Sequence, residues 1–216
     1  MNWKLNRLYL LVGGLFALGG AAYSLPWLTN PGSGLSFGAY DLAEWASLHP
    51  AVRGGNPAFL TSLLLRLPLA CLGLIITVGL LQIKLRSRIF LTFLIALALL
   101  PPLEFFTQYR DDPNYQQQFY LAGIALVIGV LSVSMKPGRH IKTFVIFLAV
   151  IGGASSLTGL LQAYSLLEQF KLSVQVGLGG IGLIIIYAII TWVFLRTDNS
   201  LKKANKVVSF VQYTTL

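Results

Sequence analysis

The chain has 216 residues, of which 56% are hydrophobic and only 11% charged, and it carries a formal net charge of +9. Soluble domains carry about 25% charged residues, so most of this surface is built to face something other than water. The basic excess sits beside apolar runs rather than on one continuous face, which argues against nucleic acid as its partner and for anionic lipid head groups.

In chain order, Lys4 and Arg7 precede a first apolar segment over residues 8–28. The small residues Gly20–Ala22 resemble a leader-cleavage site, but the segment reads as a retained signal-anchor helix. An outer loop follows over 29–57. Its first part, Thr29–Gly34, has turn composition. Phe37, Tyr40, Ala43 or Glu44, and Leu48 then recur near helical spacing, with Trp45 beside them. That pattern predicts a short amphipathic helix on the membrane surface, ended by Pro50 and Gly54–Gly55. It reads as a tether covering the bundle rather than a lid or a dock for an outer-side partner. Asn56–Pro57 has the form of an N-cap and first-turn proline.

The second and third apolar segments cover 58–83 and 89–106, with the basic turn Lys84–Arg88 between them. The fourth covers 119–135 and the fifth 143–164, separated by Lys136–Lys142. The sixth covers 177–195, and a basic tail runs from 196 to 216. A crossing helix needs about 20 apolar residues, so each segment is a candidate span. The tail ends in Val207–Leu216, rich in β-formers, and is expected to be ordered by a partner through strand addition.

Most lysines and arginines fall in Lys4–Arg7, Lys84–Arg88, Lys136–Lys142 and Arg196–Lys206. Asp41, Glu44, Glu104, Asp111, Asp112 and Glu168 fall in the alternate connections. That is the positive-inside pattern. It predicts an all-α integral membrane protein: a six-helix transmembrane bundle with an outer interfacial helix and both termini cytoplasmic. A bacterial inner membrane is the expected location. Trp3, Trp27, Tyr109, Tyr115, Tyr164 and Trp192 mark the expected interfaces.

Arg66 is the one cation well inside an apolar segment. At about 1.5 Å per residue it lies roughly 27 Å from Lys84, and Glu104 lies about 24 Å from Arg88 on the next span. Similar depth on hairpin-linked helices predicts an Arg66–Glu104 ion pair, with Pro68 and Pro101–Pro102 bending the helices beside it. Snorkelling of Arg66 to the interface is the simpler alternative. The pair is either a structural clamp, which is favoured, or an outward-facing ligand notch.

Gly177-Leu-Gly-Gly-Ile-Gly182 formally matches a dinucleotide fingerprint, but the glycines begin an apolar span after an outer loop, which is the wrong context for that motif. Close helix packing is the better role for Gly177, Gly179 and Gly182, and for Gly152 and Gly159 on the fifth span.

No chemistry-bearing set emerges. Cys71 stands alone in an apolar span, and His49 and His140 both lie in connections. No catalytic residues, no metal and no cofactor bound by this chain alone are expected. The chain is expected to be a non-catalytic integral subunit that scaffolds or stabilises a larger membrane complex, possibly an electron-transport or photosynthetic assembly. A component that binds and transports a small molecule through the notch near Arg66 and Glu104 is the alternative.

Overall fold

The computed structural model describes the backbone of residues 3–79, 85–133, 139–170 and 173–214, and the side chains of 10–79, 86–132, 140–170 and 173–196. The fold is all-α, with helix over 79% of the chain. The helices are α1 (Trp3–Ser24), α2 (Ala39–Leu48), α3 (Pro50–Arg53), α4 (Leu60–Gly79), α5 (Leu85–Leu99), α6 (Glu104–Thr107), α7 (Pro113–Val133), α8 (Arg139–Gln169) and α9 (Leu178–Thr214). Among the described residues, three segments are long and apolar enough to cross a membrane: Leu60–Gly79, His140–Gln169 and Leu178–Arg196. A shorter apolar helix covers Leu10–Ser24.

The central element is α4. It packs against α8, α7, α5 and α1, with α2 laid over it, while α9 packs against α8 and α1. Its burial on nearly every side explains why its sequence is apolar around the whole circumference.

Small residues set the close approaches. A Cβ on Gly177 would lie 2.2 Å from the Pro26 carbonyl oxygen, and one on Gly179 would lie 2.4 Å from that of Leu25. These glycines let α9 start against the end of α1. Gly182 makes only an ordinary contact, 3.7 Å from Ala22 Cβ. Gly152 faces the ring of Tyr187, joining α8 to α9, and Gly159 faces the α4 backbone, 3.2 Å from the Leu64 carbonyl oxygen. That carbonyl would bond the residue four positions on, which is Pro68 and has no N–H. The close approach of α8 covers it.

Several expected boundaries change. The first helix stops at Ser24, because Pro26 cannot continue it. Trp27 and Leu28 are completely buried, and Leu28–Asn30 is a strand, β1. It pairs antiparallel with β2 (Leu35–Phe37) and with β3 (Gln175–Val176), in the order β2-β1-β3. The sheet ties the chain entering α9 to the outer loop.

The amphipathic helix exists as α2, and of Phe37, Tyr40, Ala43 and Leu48 only Ala43 is buried. Ala39, Leu42, Ala43 and Ala46 are buried, whereas Tyr40 and Leu48 are exposed. Small side chains let the helix axis sit close to α4, so the helix packs as a layer of the fold. Asn56–Pro57 does not cap α4, which starts three residues later at Leu60. The third helix ends at Leu99 rather than 106, since Pro101–Pro102 follow. The tail continues α9 as helix to Thr214, not as strand. The expected inner turns at Lys84 and at Met135–Lys136 lie outside the described residues, as do the side chains of Lys4, Arg7 and Lys202–Lys206.

Candidate functional site

Arg66 lies on α4 two residues before Pro68 and is 2% exposed. A buried guanidinium needs a counter-charge and acceptors for its N–H groups. The counter-charge is Glu44 on α2, not Glu104: Arg66 Nη2 donates to Glu44 Oε1 at 2.7 Å. A continuous helix from Arg88 would have carried Glu104 to the depth of Arg66. Because α5 stops at Leu99, Glu104 instead opens the short α6 and is exposed.

Helix α7 supplies the remaining partners. Arg66 Nη1 donates to Asn114 Oδ1 at 2.8 Å and to Gln117 Oε1 at 3.4 Å. Glu44 accepts from Gln118 Nε2 at 2.7 Å and from Asn114 Nδ2 at 3.4 Å. Gln117 Nε2 donates to the Phe59 carbonyl at 3.2 Å. Phe59 has a positive φ of 58°, a strained conformation for a residue with a Cβ. Its carbonyl also accepts from the Leu63 N–H, and its own N–H donates to Val52. Within the cluster, Arg66 Nε, Gln118 Oε1 and Ser62 Oγ have no protein hydrogen-bond partner.

Local sequence explains why α7 can serve this role. Asp112 caps it, accepting from the Asn114 N–H at 2.8 Å, and Pro113 occupies the first turn, where its missing N–H costs nothing. Starting the helix at Pro113 puts Asn114, Gln117 and Gln118 on one face, at i, i+3 and i+4. The cluster therefore joins α2, α4 and α7 through one ion pair and three amides.

Electrostatics follow the geometry. The Glu44 side chain is about one-third exposed, at 32%, so it reaches the rim of the cluster while Arg66 lies beneath. On the same helix, burial pushes the Tyr40 hydroxyl above its ordinary pKa, and the nearby Glu44 carboxylate adds to the shift. His49, two turns along, accepts from the Ala51 N–H through Nδ1 at 3.2 Å. Its ring packs with Trp45 and Phe170.

Two further anchors hold α4. The hydroxyl of Tyr23 on α1 donates to the Leu65 carbonyl at 3.1 Å, and that of Tyr187 on α9 donates to Pro68. At the other end of the helix, Arg88 on α5 is buried. It donates from Nε to the Thr77 carbonyl and from Nη2 to the Ser132 carbonyl, both at 3.0 Å. Arg88 thus caps the last turns of α4 and α7 together. Its place in a basic turn suggested only an orienting charge.

Asn114, Gln117 and Gln118 were missed because the fourth span was expected to begin at Phe119. Their helical spacing was the available signal. No group of three or more His, Cys, Asp or Glu side chains suited to a metal occurs among the described residues, and Cys71 is buried in α4. No protein family matches this chain, and no characterised protein or solved structure is similar to it.

Proposed function

We propose that this chain is a non-catalytic integral membrane subunit that scaffolds a larger membrane complex. The observation that carries the reading is the closure of the Arg66 cluster. The guanidinium that a ligand notch would leave open is bonded to Glu44, Asn114 and Gln117. A ligand anion would have to displace Glu44 and lift α2, which also packs its small-residue face on α4. The cluster works as a clamp holding the outer layer on the bundle. The extension of α9 supports a partner on the basic side: the helix runs past Arg196 to Thr214, about 27 Å of further helix. The six-span topology with cytoplasmic termini belongs to the same reading, since the basic stretches fall at alternate apolar-segment ends.

Tagging the full chain, extracting it gently and quantifying copurifying membrane proteins tests this. Fixed stoichiometry with defined subunits is expected, and it should weaken when the chain is truncated after Arg196. A lone protein that accumulates a solute in reconstituted vesicles would establish the transport alternative instead.

A further inference from the structure

A groove of about 540 Å³ opens between the start of α4 and α7. At its mouth stands Arg53, whose side chain is 46% exposed. Deeper in, the walls are Phe59, Leu63, Leu121 and Ile124. A second groove, about 310 Å³ and almost wholly apolar, shares Tyr120 and Ile124 with the first and continues down α7 to Val127 and Ile128. Gly123 forms part of it, and a Cβ there would meet nothing within 4 Å. From Gln116 to Ile128 the helix rises about 18 Å. One leaflet contributes roughly 15 Å of hydrocarbon to a 30 Å core, so the groove has the length of one embedded acyl chain.

The mouth is chemically specific. Arg53 Nη2 contacts Asp112 Oδ2 at 3.4 Å, and the guanidinium lies 5.8 Å from the Phe59 ring centroid. One long contact leaves most of its five N–H donors directed elsewhere, and a guanidinium fork suits phosphate oxygens. A cation at one end and a lipid-length apolar channel below match an amphiphile with an anionic head.

We propose that this groove binds one glycerophospholipid, with its phosphate on Arg53 and an acyl chain along α7 over Gly123. Asp112 competes with the phosphate for Arg53. Gln117 lines the groove and also bonds Arg66 and the Phe59 carbonyl, so the bound lipid rests against the back of the buried cluster.

Native mass spectrometry of the full chain in detergent, with added dioleoylphosphatidylglycerol or dioleoylglycerol, tests the proposal. The two probes share chains and differ in the phosphate. One phosphatidylglycerol should be retained at least about ten-fold better than the diacylglycerol, the factor expected for a charge-assisted bond to phosphate. Arg53→Ala should reduce retention to the diacylglycerol level. Gly123→Phe, which fills open space, should abolish retention of both. Asp112→Asn keeps the oxygen that caps α7 and removes the competing charge, so it should tighten phosphatidylglycerol binding. If Arg53→Ala fails to fold, Asp112→Asn carries the head-group test and Gly123→Phe the chain test. Equal retention of the two probes, or retention unchanged by Gly123→Phe, overturns the proposal, as does weaker binding in a folded Asp112→Asn protein.

Discussion

Replacing Glu44 by leucine isolates what the cluster contributes. The substitution removes the one anion bonded to Arg66 among the described residues, and two acceptor contacts, from Gln118 and Asn114. Breaking a buried pair from one side costs about 3–5 kcal/mol, because the remaining charge is left uncompensated. Arg66 is the deeply buried member and keeps only neutral acceptors, while Glu44 sits at the rim, where water can partly replace it. A cost of about 3 kcal/mol follows. For a chain of this size that corresponds to a fall in Tm of about 6–12 °C. Arg66→Leu should cost less, about 1–2 kcal/mol, since the stranded Glu44 can turn to solvent. The double variant should be more stable than Glu44→Leu alone, because replacing both partners by apolar side chains is often neutral.

Thermal unfolding in detergent, followed by tryptophan fluorescence, gives all four corners of this cycle. Trp45 adjoins Glu44 in sequence and is one of four tryptophans, so the signal includes α2. A Glu44→Leu protein within about 1 °C of wild type, or costs that simply add in the double variant, would refute a clamp. A ligand site predicts a different outcome: Glu44→Leu would stay folded and gain affinity for small anions.

Gly179→Ala drives a Cβ into the Leu25 carbonyl and should cost about 2–4 kcal/mol by thermal unfolding, whereas Gly182→Ala, with ordinary contact distance, should stay within about 0.5 kcal/mol. Arg88→Met should cost about 2 kcal/mol, leaving the Thr77 and Ser132 carbonyls short of a donor; Arg88→Lys should not restore it, because one ammonium cannot span both helix ends. Tyr40 has a folded-state pKa above its unfolded value of about 10, so its contribution to stability is complete below pH 10 and is lost as pH rises through the folded value. Tyr40→Phe should flatten the alkaline decline in Tm, and Glu44→Gln should lower the Tyr40 midpoint in tyrosinate absorbance.

How much of this was legible in the sequence depends on which physics each feature uses. The membrane class follows from composition, and the apolar segments at 58–83, 143–164 and 177–195 each coincide with a helix long and apolar enough to cross, the last two of which run beyond the expected bounds. Those features need only local hydrophobicity. Arg66 was visible as an exception because burying a cation is costly whatever surrounds it. Its partner was not, because Glu44 lies 22 residues away, across the end of α2, the short α3 and the loop that leads into α4. The face of α2 that packs on α4 was equally hard to read: close packing there selects small side chains, Ala39, Ala43 and Ala46, and of these the near-helical spacing had picked out Ala43 alone. The sheet was equally hidden, since β1 and β3 have three and two residues and pair across nearly 150 positions.

The two buried arginines give α4 a common logic at its two ends. A helix apolar on every side has little in hydrophobicity alone to fix its rotation or height, because one apolar contact replaces another at small cost. Directional bonds remove that freedom. Arg66 fixes the upper part against α2 and α7, and Arg88 fixes the last turn against α5 and α7. Beside Arg66, the hydroxyls of Tyr23 and Tyr187 tie the Leu65 and Pro68 carbonyls to α1 and α9. Each polar group would be expensive to leave unpaired at that depth, so slippage by one residue breaks several bonds at once. Such a helix is built to stay in place, and α7 is the element through which both arginines act.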